Sequence, residues 1–465
     1  MSAALHFATR LETAIDASHV LTGPTICEEY AVDEIVPSAV AKPTSAEEIA
    51  EIVRFAALEK LALIPCGNRT KLRIGMSPTR YDLALDMTGL NQIAHYDPGD
   101  LTLSVDAGTS FNEFAVPLYN QKQFLPLAVP YYFDSTIGGI IASGVDSSLR
   151  HSYGTARDML IGAEFVDGTG RHCKSGGRVV KNVTGYDLHK LLIGSLGTLA
   201  VITRLNFRTF PAAPASRGFV ASFRTPQEAL RFARLVEASP LRPASVEFVS
   251  PSLMELFFET ESAVPEPPAA PLRGLIPDDC WHLCTSVEGT SAVCERATRE
   301  FAHLAASWDD KNTQLATLDE TQGADLWHYI GQAIPTLLES SPSAAIFKIT
   351  LLPGHIGHLL PRLHSLAEQA SMPHATLARA CGVVYFALLP SSDDLSLLQH
   401  LSLVSSAIFA LCAQANASAT LPWCPAALKR QISIWGVLRG DLALQRRLKS
   451  AFDPQNLFAP GRVFS

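Results

Sequence analysis

Residues 135–144 have the sequence STIGGIIASG, in which two adjacent glycines precede a run of apolar and small side chains. Each glycine costs roughly 0.5–1 kcal/mol of order in a helix or strand, so the pattern favours neither element. A backbone without a Cβ can also approach a large flat group closely. We interpret the segment as one wall of a ligand site, and the alternative is close packing of a helix on a sheet.

Three further segments are rich in glycine and small polar residues. Residues 65–71 (PCGNRTK) follow a buried apolar strand. Gly67 and Asn68 tolerate positive φ, so consecutive backbone amides can converge on an anion such as a diphosphate, beside the ammonium of Lys71. An ordinary strand-to-helix turn is the alternative explanation. The other two segments are 180–188 (VKNVTGYDL) and 194–202 (GSLGTLAVI).

Composition narrows the class of protein. The 465 residues include 37 Lys and Arg against 45 Asp and Glu, and this net charge of -8 leaves no basic excess to neutralise a nucleic acid. No apolar run reaches the ~18 residues of a membrane span, so a soluble or peripheral protein is expected. Nine scattered cysteines favour reduced thiols in a cytoplasmic setting. Neither G-x-G-x-x-G nor G-x-x-x-x-G-K-[ST] is present, which disfavours Rossmann and P-loop enzymes.

Predicted helices and predicted strands alternate along the chain. A capping box at 44–47 predicts a helix whose apolar face carries Ile49, Ile52, Val53 and Ala56. After Pro211 and Pro214 the pattern restarts, which marks a domain boundary. Strand-like stretches in the second half predict an antiparallel sheet with helices; they are 219–223, 246–249, 281–287, 345–350 and 383–389.

The four glycine-rich segments, in this order, resemble the FAD-binding oxidoreductases of the vanillyl-alcohol-oxidase (PCMH) type. Residues 452–454 (FDP) and 456–462 (NLFAPGR) add a fifth similar motif at the C-terminus. The resemblance implies an α+β fold with a two-subdomain FAD-binding domain at 31–212. It also implies an N-terminal helical extension at 1–30, a smaller α+β cap of antiparallel sheet and helices at 213–440, and a tail at 441–465 that returns to the FAD domain.

The resemblance implies FAD as cofactor and assigns its binding residues by position. Because the 66–71 loop has no histidine of the kind that attaches FAD covalently in some members, we expect non-covalent FAD. The implied cofactor-binding residues are Cys66, Gly67, Asn68, Arg69, Thr70, Lys71, Thr136, Ile137, Gly138, Gly139, Ser143, Gly144, Gly185, Tyr186, Val201 and Ile202.

Within this family, the first, third and fourth segments are most similar to the FAD-binding subunits of bacterial glycolate oxidases. That similarity implies oxidation of glycolate to glyoxylate together with a catalytic flavoprotein subunit and an iron–sulfur subunit. The expected location is the cytoplasm, with peripheral association at the inner face of the cell membrane through the complex. Two alternatives stay open: an autonomous FAD-dependent dehydrogenase of 2-hydroxy acids such as D-lactate, and a scaffold without redox turnover.

The catalytic residues are not identified by sequence. Self-sufficient relatives carry a Glu where this chain has Leu196, together with an H-G-D-G-N motif that is absent here. Lys348, on a cap strand, is a candidate to face the flavin.

No metal site is predicted. His355, His358 and His364 could share a helix face, but no carboxylate or cysteine adjoins them in sequence, which favours a plain helix face. Cys280, Cys284 and Cys294, with His282, lack C-x-x-C spacing and fit core positions better.

Overall fold

The structure is a computed structural model that describes residues 3–178, 185–263, 271–308, 313–390, 395–436 and 440–463. The strands of the first half are β1 (Val20–Leu21), β2 (Ala39–Ala41), β3 (Leu63–Cys66), β4 (Leu83–Asp86), β5 (Ile93–Asp97), β6 (Thr102–Asp106), β7 (Gln123–Phe124), β8 (Leu160–Val166), β9 (His172–Gly176), β10 (Val201–Arg208) and β11 (Phe210–Pro211). Its helices are α1 (Ala3–Leu11), α2 (Pro24–Glu28), α3 (Ala46–Glu59), α4 (Phe111–Asn120), α5 (Ile137–Ser143), α6 (Arg150–Tyr153) and α7 (Ala156–Met159).

The first sheet has the order β1-β2-β4-β3, with β2, β4 and β3 parallel. Helix α3 covers it with the predicted apolar face. The N-cap is Ser45, one residue later than predicted, and its hydroxyl accepts the N–H of Glu48 at 3.1 Å. The Glu48 carboxylate in turn accepts the N–H of Thr44 at 2.9 Å. Thr44 and Ser45 are both good N-caps, so only the folded backbone distinguishes them.

The second sheet has the order β5-β6-β10-β8-β9 and is antiparallel throughout. Helices α4 and α5 share one core with it: Phe111 and Phe114 of α4, with Ile137 and Ile141 of α5, are fully or almost fully buried. Helix α5 thus packs on the second sheet, and its start lies against the loop after β3, where Gly67 contacts Thr136.

The C-terminal segment returns to the first sheet. Helix α15 (Ala426–Lys429) precedes it, and α16 (Leu442–Phe452) leads into an extended stretch that pairs with β3. There Leu63 donates its N–H to the Leu457 carbonyl at 2.8 Å, and Ala459 donates to the Leu63 carbonyl at 2.7 Å. Buried Lys449 pairs with Asp453 at 2.6 Å and donates to the Thr198 carbonyl at 2.8 Å. These bonds hold the C-terminal segment beside the loop that follows β3.

The second half is one antiparallel sheet with helices. The strands are β12 (Ala215–Phe223), β13 (Ser245–Val249), β14 (Trp281–Gly289), β15 (Gln314–Leu318), β16 (Ala345–Thr350), β17 (His374–Arg379), β18 (Val383–Leu388) and β19 (Ser418–Trp423). The remaining helices are α8 (Pro226–Ala238), α9 (Pro251–Ala263), α10 (Ser291–Ser307), α11 (Glu320–Gly331), α12 (Ala333–Ser340), α13 (Ile356–Gln369) and α14 (Leu395–Gln414). The order is β15-β12-β14-β13-β17-β18-β16-β19.

The two faces of this sheet have different roles, because side chains alternate along each strand. Phe347, Ala378 and Phe386 face a core shared with α8, α10, α13 and α14. Ile346, Leu377 and Tyr385 face the other way, into the same core cluster as the second sheet of the first half. The sheet is therefore a cap that is packed directly on the first half.

Among the described residues, one helix is long and apolar enough to cross a membrane, the 397–414 part of α14. In this structure it covers the outer face of the cap sheet, with Leu401, Val404 and Ile408 buried in the core there.

Candidate functional site

A cavity of about 90 Å³ lies where the loop after β3 faces helix α5. Predicted residues that line it are Cys66, Gly67, Asn68, Arg69, Thr70, Lys71, Thr136, Gly138, Gly139, Ser143 and Ile202. The segments at 65–71, 135–144 and 194–202, which are far apart in sequence, therefore meet at one site. We call it the loop cavity.

Other predicted residues lie elsewhere. Ile137 and Val201 are completely buried in apolar cores, and Gly144 lines a second, adjoining cavity. Gly185 and Tyr186 do not line either cavity, and Tyr186 is 91% exposed. The first part of that motif, 180–184, lies outside the described residues.

Two buried cations face the loop cavity. Lys71 is 8% exposed, and its ammonium donates to the hydroxyls of Ser135 and, at 3.3 Å, Thr70. Burial lowers the pKa of Lys71 to about 7 against the opposing pull of Asp134. Arg462 is 3% exposed and donates through Nη2 to the carbonyls of Leu72 and Ile74. Its Nε and Nη1 have no hydrogen-bond partner among the residues that the structure describes, and burial lowers its pKa to about 10.

Unused donors on buried cations are costly unless an anion reaches them. The cavity therefore fits a ligand that carries negative charge, such as the diphosphate of FAD. Arg462 is a residue that the sequence analysis missed as a site residue. Its C-terminal motif was recognised, but only the pairing of the tail with β3 brings it beside Lys71.

The glycines of this site serve two different purposes. A Cβ at Gly67 would overlap the Thr136 side chain, and a Cβ at Gly138 would lie 2.7 Å from the Ala107 carbonyl oxygen. These two are required for close packing of protein on protein, which was the alternative explanation for the 135–144 segment. Of the described residues, a Cβ at Gly139 would meet only the Thr136 hydroxyl, at 3.2 Å, so Gly139 is the glycine that leaves room in the cavity.

A second cavity, of about 120 Å³, lies between the first half and the cap sheet. We call it the cap cavity. Ser143 and Leu196 line both cavities, so the two adjoin. Lys348 of β16 lines the cap cavity, and its ammonium is 3.4 Å from the Gly144 carbonyl. The other cap residues that line it are Tyr385, Thr420, Pro422, Trp423 and Trp435.

A buried ionic group lies behind the cap cavity. The Arg379 guanidinium is 5.1 Å from the ring centre of Tyr385 and contacts Glu247 at 3.1 Å and Asp146 at 3.6 Å. Burial raises the pKa of Glu247 to about 8, although the charge of Arg379 opposes this increase. The carboxylates of Glu247 and Asp146 in turn raise the pKa of Arg379, against the effect of its burial. Asp146 belongs to the first half, so this group connects the cap to it.

The remaining sequence candidates are not part of either cavity. His355 and His358 are exposed at the start of α13. Cys280, Cys284 and Cys294 are buried free thiols, in agreement with core positions.

Two family models match the chain in succession. Residues 37–176 match the FAD binding domain, and residues 213–387 with 437–463 match the C-terminal domain of FAD linked oxidases. The glycolate oxidase subunit GlcD of Bacillus subtilis (strain 168) is 24% identical over 431 residues, which cover 92% of this chain and 89% of that protein. The subunit GlcE of Escherichia coli (strain K12) is 33% identical over 171 residues, 37% of this chain and 48% of that protein.

Other relatives act on different 2-hydroxy acids, such as a D-lactate dehydrogenase of Anaerostipes hadrus, 28% identical over 53% of this chain and 52% of that protein. Among solved structures, 4-ethylphenol oxidase from Gulosibacter chungangensis superposes with a TM-score of 0.77 at 14% identity, covering 99% of this chain and 97% of that one. p-Cresol methylhydroxylase gives 0.75 at 15% identity, covering 100% and 98%. The predicted α+β fold class is confirmed.

Alanine at positions 138 and 139 should separate packing from ligand binding. In Gly139→Ala the new methyl group occupies cavity space, so we expect FAD affinity to fall at least tenfold while the free energy of unfolding of the apoprotein hardly changes. In Gly138→Ala the methyl group collides with the Ala107 backbone, so we expect a loss of about 1–3 kcal/mol of stability. Flavin content and urea unfolding test both; equal effects of the two variants on both measurements would contradict this assignment.

The ammonium of Lys71 should make FAD binding pH-dependent. Below pH 7 the amine is already charged in the free protein, so affinity is constant there. Above pH 7, binding of an anion must restore the proton, and affinity falls by up to tenfold per pH unit until the higher pKa of the complex is reached. Fluorescence titration of apoprotein with FAD from pH 6 to pH 9 measures this. Lys71→Met, which is uncharged at every pH, should bind more weakly at pH 6 with a flat profile, and a flat wild-type profile would refute the role of Lys71.

Proposed function

We propose that this chain, which belongs to the family of FAD-linked oxidases, is an FAD-binding subunit of a complex that oxidises glycolate or a similar small 2-hydroxy acid. The predicted cofactor, FAD, is confirmed by the family. Lys71 and Arg462 would hold its diphosphate, and Gly139 leaves room for it.

Non-covalent attachment is part of this proposal. No histidine is present among the described residues that line the loop cavity or the cap cavity. Cys66 does line the loop cavity, but burial raises the pKa of its thiol well above the usual range, and Asp86 adds to the increase. A neutral buried thiol is a poor nucleophile, which supports reversible binding.

The cap cavity is the observation that supports the substrate class. Bound FAD would accept the hydride that leaves the α-carbon as a 2-hydroxy acid becomes a 2-oxo acid. Lys348 would bind the substrate carboxylate, since its ammonium is the cation among the cavity-lining residues that the structure describes. Trp423, Trp435 and Leu196 supply apolar walls, which limit the substrate to a few carbon atoms and exclude water.

Participation of a second catalytic subunit is supported by what the cap cavity contains. Among its described lining residues there is no His, Asp or Glu to take the hydroxyl proton. The Glu247 carboxylate, a buried acid of the ionic group described above, contacts Arg379, whose guanidinium lies against the Tyr385 ring. We therefore propose that a catalytic flavoprotein subunit and an iron–sulfur subunit complete the enzyme, in the cytoplasm or at the inner face of the cell membrane.

A second candidate function is an autonomous dehydrogenase of 2-hydroxy acids. Lys348 favours this second function, because a cation beside the FAD cavity can bind the carboxylate of a small acid in this chain itself. In that case the Tyr385 hydroxyl, which lines the cap cavity, is the candidate group to accept the hydroxyl proton of the substrate.

Anaerobic spectroscopy on the isolated chain separates the two. The subunit proposal predicts about one releasable FAD per chain, which dithionite bleaches but glycolate and D-lactate do not, whereas glycolate bleaches it after the two partner subunits are added. Fast bleaching by either acid in the isolated chain would establish the autonomous enzyme instead. A chain that binds no FAD under any condition would exclude both functions and leave a scaffold.

Replacement of Lys348 tests the substrate cavity without requiring turnover. Oxalate, a small unreactive dicarboxylate, should perturb the flavin spectrum when it binds beside the cofactor. We expect Lys348→Met to weaken oxalate binding at least tenfold because a charge-assisted contact is lost, with FAD content unchanged. Lys174→Met, at a largely exposed lysine paired with Glu164, is the control and should bind oxalate as the wild type does. Equal oxalate affinity in Lys348→Met and wild type would exclude this role.

A further inference from the structure

Two histidines and a glutamate converge on the outer side of the cap. His364 and Glu368 are one turn apart on α13, and His374 begins β17 beneath that helix. One ligand atom from each lies within 4.8 Å of the others. The sequence pattern around His364 indicated a plain helix face, but the turn between α13 and β17 brings His374 beside His364, and Glu368 supplies a carboxylate.

In each of the two imidazole rings, the nitrogen that faces away from the other ring makes a hydrogen bond to a neighbouring residue. His374 Nδ1 is 3.1 Å from the Met372 carbonyl, which can only accept, so Nδ1 carries the proton and Nε2 presents a lone pair. His364 Nε2 is 3.0 Å from the Thr376 hydroxyl, which leaves Nδ1 facing His374 Nε2 at 3.0 Å. Outer hydrogen bonds of this kind fix the rings of metal-binding histidines.

The spacing suits a shared ion. With Zn–N bonds of about 2.0–2.1 Å, two nitrogens of a tetrahedral site lie about 3.3 Å apart, close to the observed separation. Trp281 and Phe386 pack on the His364 ring, with ring centres 5.2 and 5.6 Å away, so the geometry is supported by the core.

We propose that His364 Nδ1, His374 Nε2 and the Glu368 carboxylate bind one divalent transition-metal ion, with Zn²⁺ as the preferred occupant and water as the fourth ligand. Mixed imidazole and carboxylate ligands suit Zn²⁺, Cu²⁺ or Ni²⁺ better than Mg²⁺ or Ca²⁺. None of the three residues lines the loop cavity or the cap cavity. The ion would fasten α13 to β17 and is independent of the proposed function. Without an ion, a His364–His374 hydrogen bond is the competing explanation of the same geometry.

Calorimetric titration of the full chain with its FAD, after treatment with EDTA, tests the site with ZnCl₂ as ligand. We expect one Zn²⁺ per chain, weakened at least 100-fold in His374→Gln and at least tenfold in Glu368→Gln. His358→Gln, at an exposed histidine on the same helix, is the matched control and should bind as the wild type does. Co²⁺ in place of Zn²⁺ should give the visible absorption of a tetrahedral complex in the wild type and lose it in His374→Gln.

Three results would overturn the proposal. These are no stoichiometric Zn²⁺ binding by the wild type, equal losses in His358→Gln and Glu368→Gln, or MgCl₂ binding as tightly as ZnCl₂. Glu368 is exposed, so Glu368→Gln should fold normally and decides the matter even where His374→Gln does not fold. Flavin content should be the same in all variants.

Discussion

The site depends on the contact between Gly67 and Thr136. Any side chain at position 67 would overlap Thr136, so the loop after β3 can contact the start of α5 only because residue 67 is glycine. This contact joins an element of the first sheet to an element packed on the second. It also brings Lys71 onto the Ser135 hydroxyl and leaves the open space in front of Gly139. The cavity is thus a consequence of how closely two backbones approach.

The two cations of the loop cavity, Lys71 and Arg462, are buried at a cost in free energy. Taking Lys71 and Arg462 out of water disfavours their charged forms, and their lowered pKa values express that cost. Arg462 arrives through the C-terminal tail, whose position depends on the Lys449–Asp453 pair and on bonds to β3. An anionic ligand that binds only the folded chain would offset the cost, so cofactor binding and the position of the tail should support each other.

The cap is an integral part of the site because its inner face has no separate core. Tyr385 of β18 and Trp423 of β19 are buried in the same apolar cluster as α5. The Arg379, Glu247 and Asp146 group adds a buried polar connection at the same interface. The cap cavity is therefore bounded by one continuous core. Its walls are fixed by packing, and Lys348 is the charged side chain among the described residues that line it.

Local sequence determined a large part of this protein: the α+β class, the apolar face of helix α3 and the glycine segments that meet at the loop cavity. These follow from apolar periodicity and backbone freedom, which are properties of neighbouring residues. The motifs did not distinguish Gly138, which packs on Ala107, from Gly139, which opens to the cavity, because both lack a Cβ in the same way. Arg462 beside Lys71 and His374 beside His364 were decided by tertiary structure alone. Both pairs are created by strand pairing and chain reversal, which place side chains together according to the register of the whole sheet.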